Sequence, residues 1–241
     1  MGLMMSLSPG EGVIDLRHGR VDGASPRLLA FLSAEEQAKA DRFAFARDRD
    51  SYVAAHALTR ATLSEFFPRA PQDWTFAKGD HGKPRVDAGD ESTRLSFNLS
   101  HTRGHVALAV AIDRDVGVDV ERIAPDRADE AVARHLFAPA EFEAFRGAPK
   151  GERGECFFDF WTLKEAYLKA VGLGVALPLR DFAFTREPLR ISFAAGLDDI
   201  PSRWLFRRFR PAPGIAMALA ARRGQGAEPV VKLREVEIAA L

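Results

Sequence analysis

The stretch Val116-Gly117-Val118-Asp119-Val120-Glu121 alternates valines with other residues at a period of two. This period is typical of a β-strand that places its valines on one face. Asp119 and Glu121 then project side by side from the opposite face. Neighbouring carboxylates repel each other unless a positive charge lies between them, and Mg²⁺ binds through one or two carboxylates together with substrate phosphates. A solvated strand face also explains the stretch on its own, so the rest of the chain decides between these interpretations.

The composition is that of a globular protein without a strong electrostatic field. The chain has 241 residues, of which 46% are hydrophobic and 28% charged, enough for one large domain or two smaller ones. Lys plus Arg and Asp plus Glu both number 34, which argues against nonspecific nucleic-acid binding. Any anionic ligand must therefore be held by a local cluster of residues.

Cysteine usage and hydropathy indicate a cytoplasmic protein. Cys156 is the one cysteine, so an internal disulfide and a cysteine-based metal site are both excluded. The first residues lack the basic and apolar regions of a signal peptide, and no segment approaches the roughly 18–20 apolar residues of a membrane span. We expect no membrane partner and no nucleic-acid partner.

The first half of the chain reads as a strand, two helices and a set of strands. Ser33 and Glu36 have the spacing of a capping box, which predicts a helix from about residue 34. A second helix is predicted over residues 50–67, and strands are predicted over residues 13–16, 95–99, 106–112 and 116–120. Asp113-Arg114-Asp115 has the length of a hairpin turn, so the last three strands are expected to form an antiparallel meander.

The second half repeats this order of helices followed by strands. Pro139 is expected in the first turn of one helix, and a longer helix over residues 157–171 is expected to end at Gly172. Strands are predicted over residues 181–185, 189–193, 204–209, 215–220 and 230–236. The fold class is therefore α+β, with two similar lobes (a pseudo-dimer), each a small antiparallel sheet packed with a long helix. We expect lobes at 1–115 and 116–241, with a ligand in the cleft between them.

The helix over residues 157–171 carries a second candidate group. At about 100° per residue, Glu165 falls between Phe158 and Trp161, and Lys169 lies one turn beyond it. Glu165 and Lys169 could form an ordinary exposed i,i+4 ion pair. Because aromatic residues flank Glu165, a cleft-facing carboxylate that needs a cation or a donor is the alternative.

Two polar stretches of the first half could bind an anion. In the stretch from Lys78 to Pro84, glycines let backbone N–H groups approach an anion and lysines add charge, although a plain hairpin loop has the same composition. Ser100 and His101 are adjacent, so they cannot form a catalytic triad, but they could donate to a phosphate at the end of a strand. With the acidic residues, these groups suit Mg²⁺-assisted handling of a phosphate or pyrophosphate.

The order of four motifs resembles the 4′-phosphopantetheinyl transferases. The motifs are Gly82-Lys83-Pro84, Phe97-Asn98-Leu99-Ser100-His101, Gly117-Val118-Asp119-Val120-Glu121 and Phe160-Trp161-Thr162-Leu163-Lys164-Glu165-Ala166-Tyr167-Leu168-Lys169. The length of the chain and its two expected lobes are similar to those of the monomeric, surfactin-synthetase-activating (Sfp-type) class of these enzymes. The resemblance runs from about Ser33 to Phe182.

The resemblance implies an enzyme that transfers the phosphopantetheine arm of coenzyme A to a serine of an apo acyl or peptidyl carrier protein and releases 3′,5′-ADP. It implies that Asp119, Glu121 and Glu165 hold Mg²⁺. Glu165 would also accept the serine proton, and Lys169 would meet the pyrophosphate. The residues implied to contact coenzyme A are Lys39 at the 3′-phosphate, Lys78, His81, Gly82 and Lys83 near the nucleotide, and Ser100 and His101 at a phosphate.

One position departs from the family pattern. Some members carry a second basic residue three positions before the one at Lys39, where this chain has Glu36; Arg47 or Arg49 would have to substitute. Two alternative hypotheses place a different function on the same scaffold: a catalytically silent coenzyme A-binding protein and an Mg²⁺-dependent phosphohydrolase. The presence of three carboxylates and Lys169 argues against the first, and the order of the motifs argues against the second.

Overall fold

The computed structural model describes residues 12–23, 25–79, 82–174 and 177–241. Up to Arg114 the helices and strands are β1 (Val13–Arg20), α1 (Ala34–Ala40), α2 (Ala46–Phe66), β2 (Phe76–Lys78), β3 (Pro84–Val86), β4 (Leu95–Thr102) and β5 (His105–Ile112). From Asp115 onward they are β6 (Val116–Arg122), α3 (Glu130–Leu136), α4 (Pro139–Gly147), α5 (Arg153–Val171), β7 (Phe182–Arg186), β8 (Leu189–Phe193), β9 (Trp204–Phe209), β10 (Ile215–Arg222) and β11 (Val230–Glu235).

These elements form two compact units, and the α+β class is confirmed. The first unit contains the chain up to Arg114 together with Ala227–Leu241, and the second contains Asp115–Gly226. The first has a sheet of order β11-β1-β5-β4 and a β2–β3 hairpin, and the second has a sheet of order β6-β10-β9 and a β7–β8 hairpin. Each unit packs one long helix on its sheet, α2 in the first and α5 in the second.

The end of the chain departs from the expected lobe of residues 116–241. Strand β11 pairs in parallel with β1, from Val13 opposite Val230 to His18 opposite Glu235. Ile238 follows this strand and is buried in the core of the first unit. The second unit therefore ends at Gly226, and the sheet of the first unit is mixed rather than purely antiparallel.

The expected hairpin turn at Asp113-Arg114-Asp115 is wrong. Strand β5 is antiparallel to β1 on one edge and to β4 on the other, so neither edge is left for β6. Strand β6 instead pairs antiparallel with β10, which places Asp119 opposite Ala218. The turn residues thus coincide with the boundary between the units rather than with a hairpin.

Helix α5 matches the predicted helix over residues 157–171 but begins earlier, at Arg153. It ends where predicted, because Gly172 adopts the left-handed conformation with φ of 77°. None of the helices in the described ranges has the length and apolar character needed to cross a membrane.

Helix α5 lies unusually close to β6 at Gly117. A β-carbon at this position would be 2.1 Å from the carbonyl oxygen of Ala166 and 2.4 Å from the backbone nitrogen of Ala170. Gly117 therefore faces the helix. Because side chains alternate along a strand, Asp119 and Glu121 face the helix as well. Glycine at 117 and alanines at 166 and 170 allow this approach, since larger side chains would push the two elements apart.

Helix α1 is tied to α2 by Glu36. The predicted capping box is confirmed: Ser33 Oγ accepts a hydrogen bond from the Glu36 N–H at 3.3 Å, and Glu36 Oε2 accepts one from the Ser33 N–H at 3.0 Å. The same carboxylate pairs with Arg60 at 2.7 Å and with His56 Nδ1 at 2.8 Å. Although burial acts in the opposite direction, the hydrogen bonds from His56 and Arg60 lower the pKa of Glu36 to about 2.

Gly117→Ala is expected to destabilise the protein by about 1–3 kcal/mol, because the new methyl group overlaps the backbone of α5. The matched control is Gly147→Ala at the end of α4, where an added β-carbon meets nothing within 4 Å and stability should change by less than about 0.5 kcal/mol. Urea unfolding followed by circular dichroism measures both. Equal stability of Gly117→Ala and wild type would contradict the close approach.

Glu36 is expected to account for part of the loss of folding stability at acidic pH. Its pKa is lower in the folded protein than in the unfolded chain, so its stabilisation is complete above about pH 5 and is lost as the pH falls toward about 2. Glu36→Gln should lower the free energy of unfolding at neutral pH and flatten its decline across this window. Urea unfolding over a pH series tests this, with the exposed neighbour Glu35→Gln as the control. A decline in Glu36→Gln as steep as in wild type would refute the assignment.

Candidate functional site

Asp119 of β6 and Lys169 of α5 form an ion pair. Lys169 Nζ donates a hydrogen bond to Asp119 Oδ1 at 2.6 Å. The Asp119 side chain is 5% exposed and that of Lys169 is 28% exposed, so solvent reaches the pair mainly from the lysine. The contact follows from the close approach at Gly117, because Asp119 lies two positions further along the same strand face.

Glu165 shares the electrostatic environment of this pair. It lies one helical turn before Lys169 and is partly buried. Burial is the main reason that the pKa of Glu165 is raised, and the negative charges of Asp119 and Glu121 raise it further while Lys169 opposes them. Asp119 and Glu121 therefore both disfavour the charged form of Glu165 in the second unit.

The chemistry of these residues fits a hard divalent cation. All three candidate ligands offer carboxylate oxygens, which Mg²⁺ prefers, and a cation would relieve their mutual repulsion. Within the described ranges, however, no three His, Cys, Asp or Glu side chains are arranged to hold a metal ion. Here Lys169 supplies the positive charge at Asp119.

Lys39, the residue expected at a 3′-phosphate, lies in the last turn of α1 and is exposed. Its ammonium group is 5.0 Å from the centroid of the Tyr52 ring, within the range of a cation–π contact. Glu36 has a structural role at the position where the resemblance places a base, since His56 and Arg60 bind its carboxylate. The departure at Glu36 thus has a physical explanation in the link between α1 and α2.

Lys78, Gly82 and Lys83, three of the residues expected near the nucleotide, lie at the β2–β3 hairpin of the first unit. Lys78 is the last residue of β2 and is exposed, and Lys83 directly precedes β3 and is partly buried. The Gly79 N–H donates to the Lys83 carbonyl at 2.9 Å, and the Gly82 N–H donates to the Gly79 carbonyl at 2.8 Å. These hydrogen bonds bring Gly79 close to Gly82 and Lys83, and Lys78 directly precedes Gly79. His81 lies outside the described residues.

Ser100 and His101 lie near the end of β4, also in the first unit. Ser100 is buried and pairs with Ala107 of β5, whereas His101 is exposed and pairs with Val106. Since side chains alternate along a strand, the two project from opposite faces of the sheet. The side chains of these adjacent residues therefore do not point toward each other.

A buried ion pair that the sequence interpretation missed holds α5 in place. Lys164 Nζ lies 2.8 Å from Glu141 Oε2 and donates to the carbonyl oxygens of Leu179 and Phe182 at 2.6 and 2.7 Å. Glu141 also accepts hydrogen bonds from the backbone N–H groups of Ala138 and Phe184 at 2.8 Å each. Burial raises the pKa of Glu141 and lowers that of Lys164, and their attraction opposes both shifts.

The sequence carried little signal for this pair. Lys164 lies inside the fourth motif, but nothing in the sequence around this lysine indicates that it is fully buried. Glu141 has the position of a capping residue, which explains only one of its contacts. By linking α4, α5 and β7, the pair fixes the helix that carries Glu165 and Lys169.

Family models match most of the chain. Residues 115–220 match the model described as the 4′-phosphopantetheinyl transferase superfamily, which corresponds closely to the second unit. Residues 25–113 match the model of the N-terminal part of 4′-phosphopantetheinyl transferases. The two matches meet at the boundary between the units.

Similar proteins carry the same description. The chain is 36% identical to 4′-phosphopantetheinyl transferase HetI of Nostoc sp. over 69% of this chain and 71% of that protein. It is 27% identical to the transferase ffp of Bacillus subtilis over 86% and 89%, and 26% identical to Sfp of Bacillus subtilis strain 168 over 81% and 84%. As the order of its motifs predicts, the chain belongs to the 4′-phosphopantetheinyl transferase family.

Proposed function

We propose that this enzyme transfers the 4′-phosphopantetheine group of coenzyme A to a serine of an apo acyl or peptidyl carrier protein, with Mg²⁺, and releases 3′,5′-ADP. The observation that carries the proposal is the cluster of Asp119, Glu121, Glu165 and Lys169, in which acidic groups of β6 and α5 interact beside an ammonium group. The cluster combines the two requirements of phosphoryl transfer, which are charge neutralisation and positioning of the reacting groups.

Each residue has a defined part in this reaction. The serine oxygen forms a bond to the phosphorus that carries the pantetheine arm, the bond from that phosphorus to the ADP portion breaks, and Glu165 accepts the serine proton directly or through a water. Burial and the neighbouring carboxylates raise the pKa of Glu165, which makes its carboxylate a stronger base than an exposed one. Lys169 binds the pyrophosphate and offsets the negative charge on the leaving ADP.

Asp119, Glu121 and Glu165 are the residues that would hold Mg²⁺, which when bound neutralises charge on the phosphate oxygens. In the first unit, exposed Lys39 is assigned to the 3′-phosphate of coenzyme A. The remaining contacts to coenzyme A are assigned to Lys78, His81, Gly82, Lys83, Ser100 and His101. We further propose that the enzyme acts as a monomer.

The direct test is incubation with coenzyme A, Mg²⁺ and an apo carrier protein, followed by mass spectrometry of the carrier. We expect the carrier to gain the mass of one phosphopantetheine group. Absence of any gain with several carriers would contradict the proposal. Binding of coenzyme A without transfer would instead identify a silent binding protein, and hydrolysis of coenzyme A without carrier modification would identify a phosphohydrolase.

Asp119→Ala and Glu165→Ala should each abolish transfer while the protein stays folded, because each removes a group of the acidic cluster. The matched control is Glu143→Ala, which removes an exposed carboxylate from α4 of the same unit and should keep wild-type activity. Circular dichroism confirms folding, and the mass assay measures transfer. Full activity of either cluster variant would remove that residue from the proposed site.

A further inference from the structure

Three arginines converge on one buried carboxylate in the second unit, on a part of α5 that the proposed reaction does not use. Asp159 is 3% exposed. Its Oδ1 accepts a hydrogen bond from Arg210 at 2.7 Å, and its Oδ2 accepts hydrogen bonds from Arg208 at 2.6 Å and Arg186 at 3.2 Å. Asp159 therefore joins α5 to the end of β7 and to β9.

This cluster has an excess of positive charge and of hydrogen-bond donors. One carboxylate faces three guanidinium groups, so the four side chains together have a net charge of +2. A guanidinium has five N–H donors, and Asp159 accepts one hydrogen bond from each of the three. Arg208 Nη2 also donates to the Arg186 carbonyl at 3.1 Å and Arg210 Nη1 to the Phe209 carbonyl at 3.4 Å, which leaves at least three N–H donors on each arginine. Arg186, Arg208 and Arg210 are 32%, 23% and 37% exposed, so the donors that remain are accessible from outside.

The arginines line an open groove of about 510 Å³ that also contains apolar surface. Leu189 of β8 and Phe209 of β9 line the same groove and are partly buried. Arginine and aromatic side chains next to each other are typical of the residues that contribute most to protein–protein binding. The groove thus offers both a charged and an apolar contact.

Two exposed glutamates also line the groove. Glu187 is 91% exposed, and its Oε1 lies 3.9 Å from Arg208 Nη2, beyond hydrogen-bond distance. Glu155 is exposed in the first turn of α5. They balance the net charge of the groove as a whole but leave the guanidinium donors accessible. An incoming carboxylate would have to overcome repulsion from them, and Glu187 in particular lies near one of the donors that it would use.

We propose that this groove is a docking site for an acidic segment of a protein partner. A carboxylate of the partner accepts hydrogen bonds from Arg208 and Arg210, and an apolar side chain next to it packs on Leu189 and Phe209. Charge-assisted hydrogen bonds to arginine are the strong polar contacts of such an interface. The proposal goes beyond the transferase reaction and does not depend on it.

The test uses a short fluorescein-labelled peptide of repeated Glu-Glu-Leu triplets, titrated with the full-length protein at low salt and followed by fluorescence anisotropy. We expect saturable binding that Arg210→Gln weakens about tenfold, because it removes a charge-assisted donor. Arg190→Gln on β8 is the matched control, since Arg190 is an exposed arginine that does not line the groove, and it should bind as wild type does. Glu187→Gln should tighten binding about twofold because it removes a competing negative charge.

The surface variant Glu187→Gln keeps the test decisive if Arg210→Gln does not fold. Absence of saturable binding by the wild-type protein, equal weakening by Arg210→Gln and Arg190→Gln, or no tightening by Glu187→Gln would each overturn the proposal. Equal binding of a Gln-Gln-Leu peptide would also overturn it. Arg210-dependent binding of inorganic phosphate without binding of the peptide would show a site for a small anion and contradict the assignment to a protein partner.

Discussion

The approach of α5 to β6 at Gly117 is the constraint on which the acidic cluster depends. With no β-carbon at 117 and small side chains at Ala166 and Ala170, the helix backbone lies against the strand. Asp119 then reaches Lys169 at 2.6 Å, and the charge of Asp119 acts on Glu165. The close packing of the α5 backbone on β6 thereby brings the charged side chains of the two elements near enough to interact.

Helix α5 is held by buried charges along its length as well as by its apolar face. Asp159 binds three arginines near its start, Lys164 binds Glu141 in the middle, and Lys169 binds Asp119 near its end. Removing one partner of a buried pair is costly because it leaves a charge without compensation. These contacts therefore fix the orientation and the register of the helix that carries Glu165, in a way that apolar packing alone would not.

Local sequence patterns predicted individual helices and strands, but they did not predict which strands far apart in the chain pair with each other. The valine alternation of β6, the capping box at Ser33 and the glycine after α5 each depend on neighbouring residues, so all three were predictable. The parallel pairing of β11 with β1 and the pairing of β6 with β10 join segments far apart in the chain, and no local period encodes them. The family resemblance grouped Asp119 with Glu165, and strand and helix periodicity supported that grouping, but neither predicted the ion pair of Asp119 with Lys169. Lys164 and Glu141 were missed because their pairing depends on full burial.

The contact between strand and helix can be measured most directly by a double-mutant cycle of Asp119→Asn and Lys169→Met on the free energy of unfolding. Asp119 is almost completely buried and Lys169 is bound to it, so removing either partner should remove most of what the other contributes. The account predicts a coupling energy of about 1 kcal/mol or more. Effects that add within about 0.3 kcal/mol would contradict it, because β6 and α5 would then not hold these two side chains in contact.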